Sequence, residues 1–157
     1  MNDEIDEADT WAEPHLFRCW AAMLVWTSGL HWRIVAAMAG ISPTAMSHLL
    51  WGRSGRPISR LHVATAAALM DLAPEDIQRS DRTRVPASRT RDLLDGLHHL
   101  GWTEPQLATW LTRSDMRLAT SRAAFYCTRL TAARVQACYD YLTSSATPRA
   151  ATPDTAA

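Results

Sequence analysis

The chain has 157 residues, 47% of them apolar and 20% charged, and its sixteen basic residues are balanced by sixteen acids. That length holds one domain of ordinary size or two small ones; no apolar run approaches the roughly eighteen residues of a membrane span, and the acidic N-terminus is the opposite of a signal peptide. The three cysteines, Cys19, Cys127 and Cys138, have neither C-x-x-C spacing nor a histidine at zinc-site intervals, so reduced, buried thiols, no metal, no cofactor and a cytoplasmic location are expected.

The neutral total hides an uneven distribution. Residues 1–13 carry six acids, Asp3, Glu4, Asp6, Glu7, Asp9 and Glu13, with only Ile5 and Trp11 to bury. This acidic arm is expected to be disordered; a second reading has it lie over the basic surface and weaken non-specific binding. From Pro14 to Met70 there is no acid at all, only Arg18, Arg33, Arg53, Arg56 and Arg60 with four histidines. All sixteen basic residues of the chain are Arg, which suits bidentate contacts to guanine and phosphate. A uniformly positive module of this kind fits a polyanionic partner.

Residues 14–28 read as a helix: Phe17, Trp20, Ala21, Leu24 and Val25 recur at one-face spacing, Pro14 suits the first turn and Gly29 stops the far end. Trp26 lies off this face and is expected to cover the side of the domain. Next comes the stretch on which the reading turns, Trp32 to Gly52. Ile34, Val35 and Met38 give a first short helix its apolar stripe, and Ala36 is small where a second helix must cross. Gly40 closes it, Ser42 caps the next and Pro43 begins it, with Met46, Leu49 and Leu50 directed inward. Pro43, Thr44, Ser47, His48 and Trp51 are left facing outward, although Trp51, as a tryptophan, is read as core rather than contact. This is the helix-turn-helix pattern, whose second helix enters the major groove; Ala36, Gly40, Ile41, Ser42, Met46, Ser47 and Leu49 fall where the phage-repressor-like class places its small, glycine, apolar and serine positions. A helix capped by Ser59 is expected through residues 60–72, ended by Pro74, completing a four-helix domain over residues 14–78.

Residues 79–91, RSDRTRVPASRTR, hold five Arg and one Asp and read as a linker, either solvated alone or also touching phosphates. Beyond it, over residues 92–142, the first domain recurs. Setting Gly101 on Gly29 puts Leu107 on Val35, Ala108 on Ala36 and Ser114 on Ser42; a slightly smaller offset puts Leu130 on Leu61, Ala137 on Ala68 and Asp140 on Asp71. An internal duplication follows. Its turn departs from the pattern: Thr112 stands at the turn glycine, Arg113 at the apolar turn residue, and Ser121 and Arg122 at the two inward leucines. Trp102, Leu107, Trp110, Leu111 and Leu118 supply a core, while Arg113, Arg117 and Arg122 keep one side basic, for weaker DNA contact or for dimerisation. Residues 143–157, low in complexity, are expected to be a disordered tail.

The fold class expected is therefore all-α, two tandem small helical bundles, the first with a repressor-type helix-turn-helix and the second a diverged copy. The order of elements resembles the tandem helix-turn-helix proteins of actinobacteria and their phages, through SGLHWRIVAAMAGIS, LLWG, RPISRLHVATAAALMDLAP, LGWTEPQLATWL and TAARVQACYDYL. The resemblance implies a site-specific double-stranded DNA-binding regulator, a repressor, acting as a homodimer or as one chain with two heads. Base edges would be met by Pro43, Thr44, Ser47 and His48, and phosphates by Trp32, Arg33, Ser42, Arg53, Arg56 and Arg60. The competing reading is a protein-interaction module, an antirepressor or assembly factor, that keeps the fold without reading DNA. No nucleophile triad, phosphate loop, metal spacing or carboxylate pair argues for an enzyme.

Overall fold

The computed structural model describes residues 10–144. In chain order it contains β1 (Trp11–Ala12), α1 (Pro14–Ser28), α2 (Trp32–Ala39), α3 (Pro43–Trp51), β2 (Leu61–His62), α4 (Val63–Met70), α5 (Pro74–Arg79), β3 (Arg84–Pro86), α6 (Ser88–His99), α7 (Glu104–Leu107), α8 (Arg113–Arg117), β4 (Tyr126–Thr128) and α9 (Arg129–Ser144). The protein is mostly helical, with two small antiparallel sheets that an all-helical reading does not contain. Strand, three helices, strand, helix occurs twice along the described chain, with α5 between the two runs.

The first run is built largely by local rules. Glu13 accepts the His15 amide through its carboxylate and Pro14 occupies the first turn, while Gly29 closes α1 at φ 67°. Ala21 and Leu24 are fully buried against Val35, Met46, Leu49 and Leu69; burying each of the larger side chains contributes roughly 1.5–3 kcal/mol. Trp20 Nε1 donates to the Leu69 carbonyl at 2.9 Å and ties α1 to the end of α4. Trp26 covers nothing: it is 88% exposed.

Four expectations are revised here. Residues 10–13 of the acidic arm are held: Trp11 pairs with His62 and Ala12 with Leu61, the Trp11 ring meets His62 edge-on at 5.7 Å, and Arg60 lies over it at 5.0 Å. Residues 1–9 and most of the proposed tail lie outside the described residues. The helix expected from Ser59 starts at Val63, because Leu61–His62 is claimed by β1 and the His62 ring, not Ser59, accepts the Ala64 amide at 3.1 Å. Pro74–Arg79 is a further helix, its first turn closed by an Asp76 carboxylate that accepts the Ala73 amide at 2.9 Å. Buried cysteines hold only for Cys138, whose thiol burial pushes up to about 12; Cys127 is half-buried and Cys19 exposed.

The Arg-rich stretch is not a free linker. Arg84, Val85 and Pro86 pair with Thr128, Cys127 and Tyr126. Ser80, Ala87 and Thr90 are buried, and the amides of Arg129 and Leu130 donate to the carbonyls of Thr83 and Ser80 at 2.8 and 3.0 Å. The segment anchors the start of α9.

The second run has its own core, Leu94, Leu97, Leu107, Leu111, Leu118, Val135 and Cys138, with Trp102 and Trp110 packed against it. Its turn is remodelled rather than strained. Thr112 caps α8 by accepting the Asp115 amide at 3.1 Å, and Asp115 returns the bond to the Thr112 amide at 3.0 Å, so no glycine turn is needed and Arg113 stands exposed at the first helical position. Asp115, 1% exposed, also accepts the Thr131 hydroxyl at 2.7 Å and faces Arg134 at 3.5 Å, latching α8 to α9. Asp115→Ala removes the acceptor shared by the Thr112 amide, the Thr131 hydroxyl and Arg134 and is expected to cost about 1–3 kcal/mol of unfolding free energy in a urea titration.

Candidate nucleic-acid interface

The site is assembled by the turn between α2 and α3. Gly40 takes φ 74°, the left-handed conformation that a side chain resists. From there its amide donates to the Ala37 carbonyl at 3.2 Å and that of Ile41 to Ala36 at 3.1 Å, satisfying the end of α2. Ser42 Oγ accepts the Ala45 amide at 3.1 Å and starts α3, with Pro43 at the first helical position. Met46 and Leu49 are fully buried beneath. Two arginines that composition counts only as charge are structural: Arg18 Nε donates to the Leu49 carbonyl at 2.9 Å, and Arg129 to the Met38 carbonyl at 3.1 Å. Each fills a helix-end acceptor left open by the missing next turn. After α3 the chain turns at Gly52, where a Cβ would stand 2.1 Å from the Arg56 carbonyl oxygen, so only glycine fits.

On the outer side of α3, Thr44 is exposed, while Pro43, Ser47 and His48 are half-buried. These four line one groove of about 570 Å³ together with Trp32 and Arg33 from the start of α2. The opposite wall is the end of α9: Asp140, Thr143 and Ser144. Ser42 is exposed but its Oγ is occupied as the cap. Arg53, Arg56 and Arg60 are exposed on the segment after α3 and do not line the groove; Arg53 and Arg56 bridge through their backbones. Arg113 and Arg117 are exposed around a separate hollow with Glu104 and Pro105, and Arg122 is exposed beyond it. The residues singled out in the two runs thus form distinct surfaces.

The start of α2 is an aromatic cluster. Trp51 is 59% exposed rather than core and meets the Trp32 ring edge-on at 5.2 Å. Arg33 places its guanidinium 4.7 Å from the Trp32 ring and 5.2 Å from Tyr141 on α9. Trp110 packs on Tyr141 at 4.9 Å and on His31 at 5.3 Å. Asp140, Tyr141, Thr143 and Trp110 were not singled out from the sequence as site residues. Asp140 entered only as a repeat position, since nothing local signals a neighbour some ninety residues away.

Among the described residues no group of three His, Cys, Asp or Glu could hold a metal ion, and no helix is long and apolar enough to cross a membrane. His31 caps α2: its Nδ1 accepts the Arg33 amide at 3.2 Å, which requires the unprotonated nitrogen. Desolvation, and then the Arg33 charge, hold its pKa below the ordinary 6.5. The folded state therefore binds fewer protons than the unfolded one. The group's stabilisation is complete above about pH 6.5 and is lost as pH falls through the lowered folded value. The melting temperature is expected to drop across that window, and His31→Asn, a cap that does not titrate, should flatten that part of the profile.

Comparison with protein-family models, with characterised proteins and with solved structures finds no match to this chain.

Proposed function

We propose that the chain is a sequence-specific double-stranded DNA-binding regulator, a repressor, that reads the major groove with α3. The observation that carries this reading is the outer side of α3: a threonine, a serine and a histidine on a helix held by a tight glycine turn and a serine cap, opening on one groove instead of being sealed in a core. Hydroxyls and an imidazole at such a place match base-edge donors and acceptors, and the Thr44 methyl suits thymine. The flanking Arg53, Arg56 and Arg60 are exposed on a stretch that carries no acid, as phosphate contacts require. In this reading the two runs are tandem helix-turn-helix units, the second diverged, with Arg113, Arg117 and Arg122 as a separate and less specific contact.

A second reading, a protein-interaction module, draws on the exposed pair Phe125 and Tyr126, 78% and 55% accessible, since exposed aromatics beside Arg84 resemble the anchors of protein interfaces. A mobility shift on fragmented genomic DNA at two salt concentrations separates the two: retention weakening steeply with salt supports DNA binding, and no retention at either salt removes it.

With a duplex selected from a random pool, Thr44→Ala and His48→Ala are each expected to reduce discrimination by roughly 1–3 kcal/mol at one base position. Arg56→Ala should weaken selected and random duplexes alike and make the salt slope shallower. Equal losses on both duplexes for all three variants would remove the assigned roles.

A further inference from the structure

We propose that the Asp140–Ser144 stretch of α9 restrains DNA binding by α3: Tyr141, stacked on Arg33, holds Asp140 against the groove that Thr44, Ser47 and His48 share. The inference rests on the DNA-binding reading above and adds a regulatory contact to it.

Three observations carry the restraint. The first is charge. Asp140 is the carboxylate in the lining of a groove otherwise made of Trp32, Arg33, Pro43, Thr44, hydroxyls and His48. Its Oδ1 accepts the Gln136 side-chain amide at 2.9 Å, and among the described residues it makes no ion pair within 4.0 Å. A phosphate backbone approaching α3 meets that charge, in a place where the sequence from Pro14 to Met70 contributes none of its sign.

The second is the helix that delivers it. α9 is described over sixteen residues, Arg129–Ser144, and brings Asp140, Thr143 and Ser144 to the groove. Its helical turns there are closed by side chains as well as backbone, Thr143 Oγ1 donating to the Tyr139 carbonyl at 2.7 Å and Ser144 Oγ to that of Tyr141 at 3.0 Å, so Asp140 is carried on a formed helix beside the groove.

The third is the fastening. Tyr141 lies 5.2 Å from the Arg33 guanidinium and 4.9 Å from the Trp110 ring, and Trp110 leans on His31. Arg33, positioned at the start of α2 for a phosphate, is instead held between the Trp32 and Tyr141 rings. Stacking and cation–π contacts at a partly exposed site are individually weak. The stretch is thus held in place without being welded there, and its release would remove a negative charge from the groove and free Arg33 to face the backbone.

The test uses the full chain and two duplexes, one of mixed sequence and one selected from a random pool, at low and at moderate salt. Asp140→Asn is expected to tighten binding to both duplexes by about three- to tenfold at low salt, with the gain shrinking as salt rises. Tyr141→Ala should tighten both to a similar degree, and Tyr141→Phe, which keeps the ring, should leave them unchanged. Asp140→Asn alters a groove-lining surface group and retains the fold, which a thermal melt checks, so the comparison survives even if Tyr141→Ala is destabilised. Unchanged or weaker binding by Asp140→Asn on both duplexes overturns the restraint. So does a loss confined to the selected duplex, which would make Asp140 a base-reading residue. If His48→Ala relaxes specificity while the α9 variants change nothing, the restraint falls alone. If neither wild type nor any variant binds either duplex, the DNA-binding reading falls and takes the restraint with it.

Discussion

The antiparallel packing of α9 along α2 is the contact on which the rest of the molecule depends. At one end Arg129 of α9 donates to the Met38 carbonyl at the close of α2; at the other, Tyr141 of α9 meets Arg33 at its start. Between them the helix offers two stripes. Ala133 and Ala137 enter the core built by α1 to α4, and Val135 and Cys138 enter the core built by α6 to α8. Small residues on the first stripe let the helices approach closely, as the buried Ala36 on α2 also does. One helix thus belongs to both cores, and the halves of the chain are joined by shared packing instead of a tether.

That sharing changes the meaning of the segment between the halves. A run of five arginines around a proline has the composition of a solvated connector, yet its middle pairs with Tyr126–Thr128 and its first residues receive the first amides of α9. On the strand itself the side chains alternate: Arg84 is exposed, Val85 turns in, and Pro86 is exposed again. High charge therefore coexists with fixed backbone, since a strand needs only every second side chain to be apolar.

The same sharing sets the electrostatics of the groove on α3. Read along the chain, this region is purely basic. Folded, it receives Asp140 from the far half, and it loses Arg33 to a stack of rings. Some of the remaining arginines serve carbonyl groups at helix ends, as Arg18 and Arg129 do, and Arg91 holds the carbonyls of Ser121 and Ala124. A count of charges per segment overstates what is free to meet a polyanion.

What the sequence determined by itself was local. The bounds of α1, the left-handed Gly29 and Gly40, the Ser42 cap and the Pro43 start depend on residues within one turn of each other, so their chemistry is legible in a short window. Tertiary structure decided the rest. The strand pairs β1–β2 and β3–β4, each a few residues long, give no periodic signal and exist only because a partner some forty to fifty residues away completes them. The later start of α4 follows from one such pair. The place of Asp140 across the groove from α3 follows from helix packing, in which distance in space is set by which stripes bury one another and bears no relation to distance along the chain.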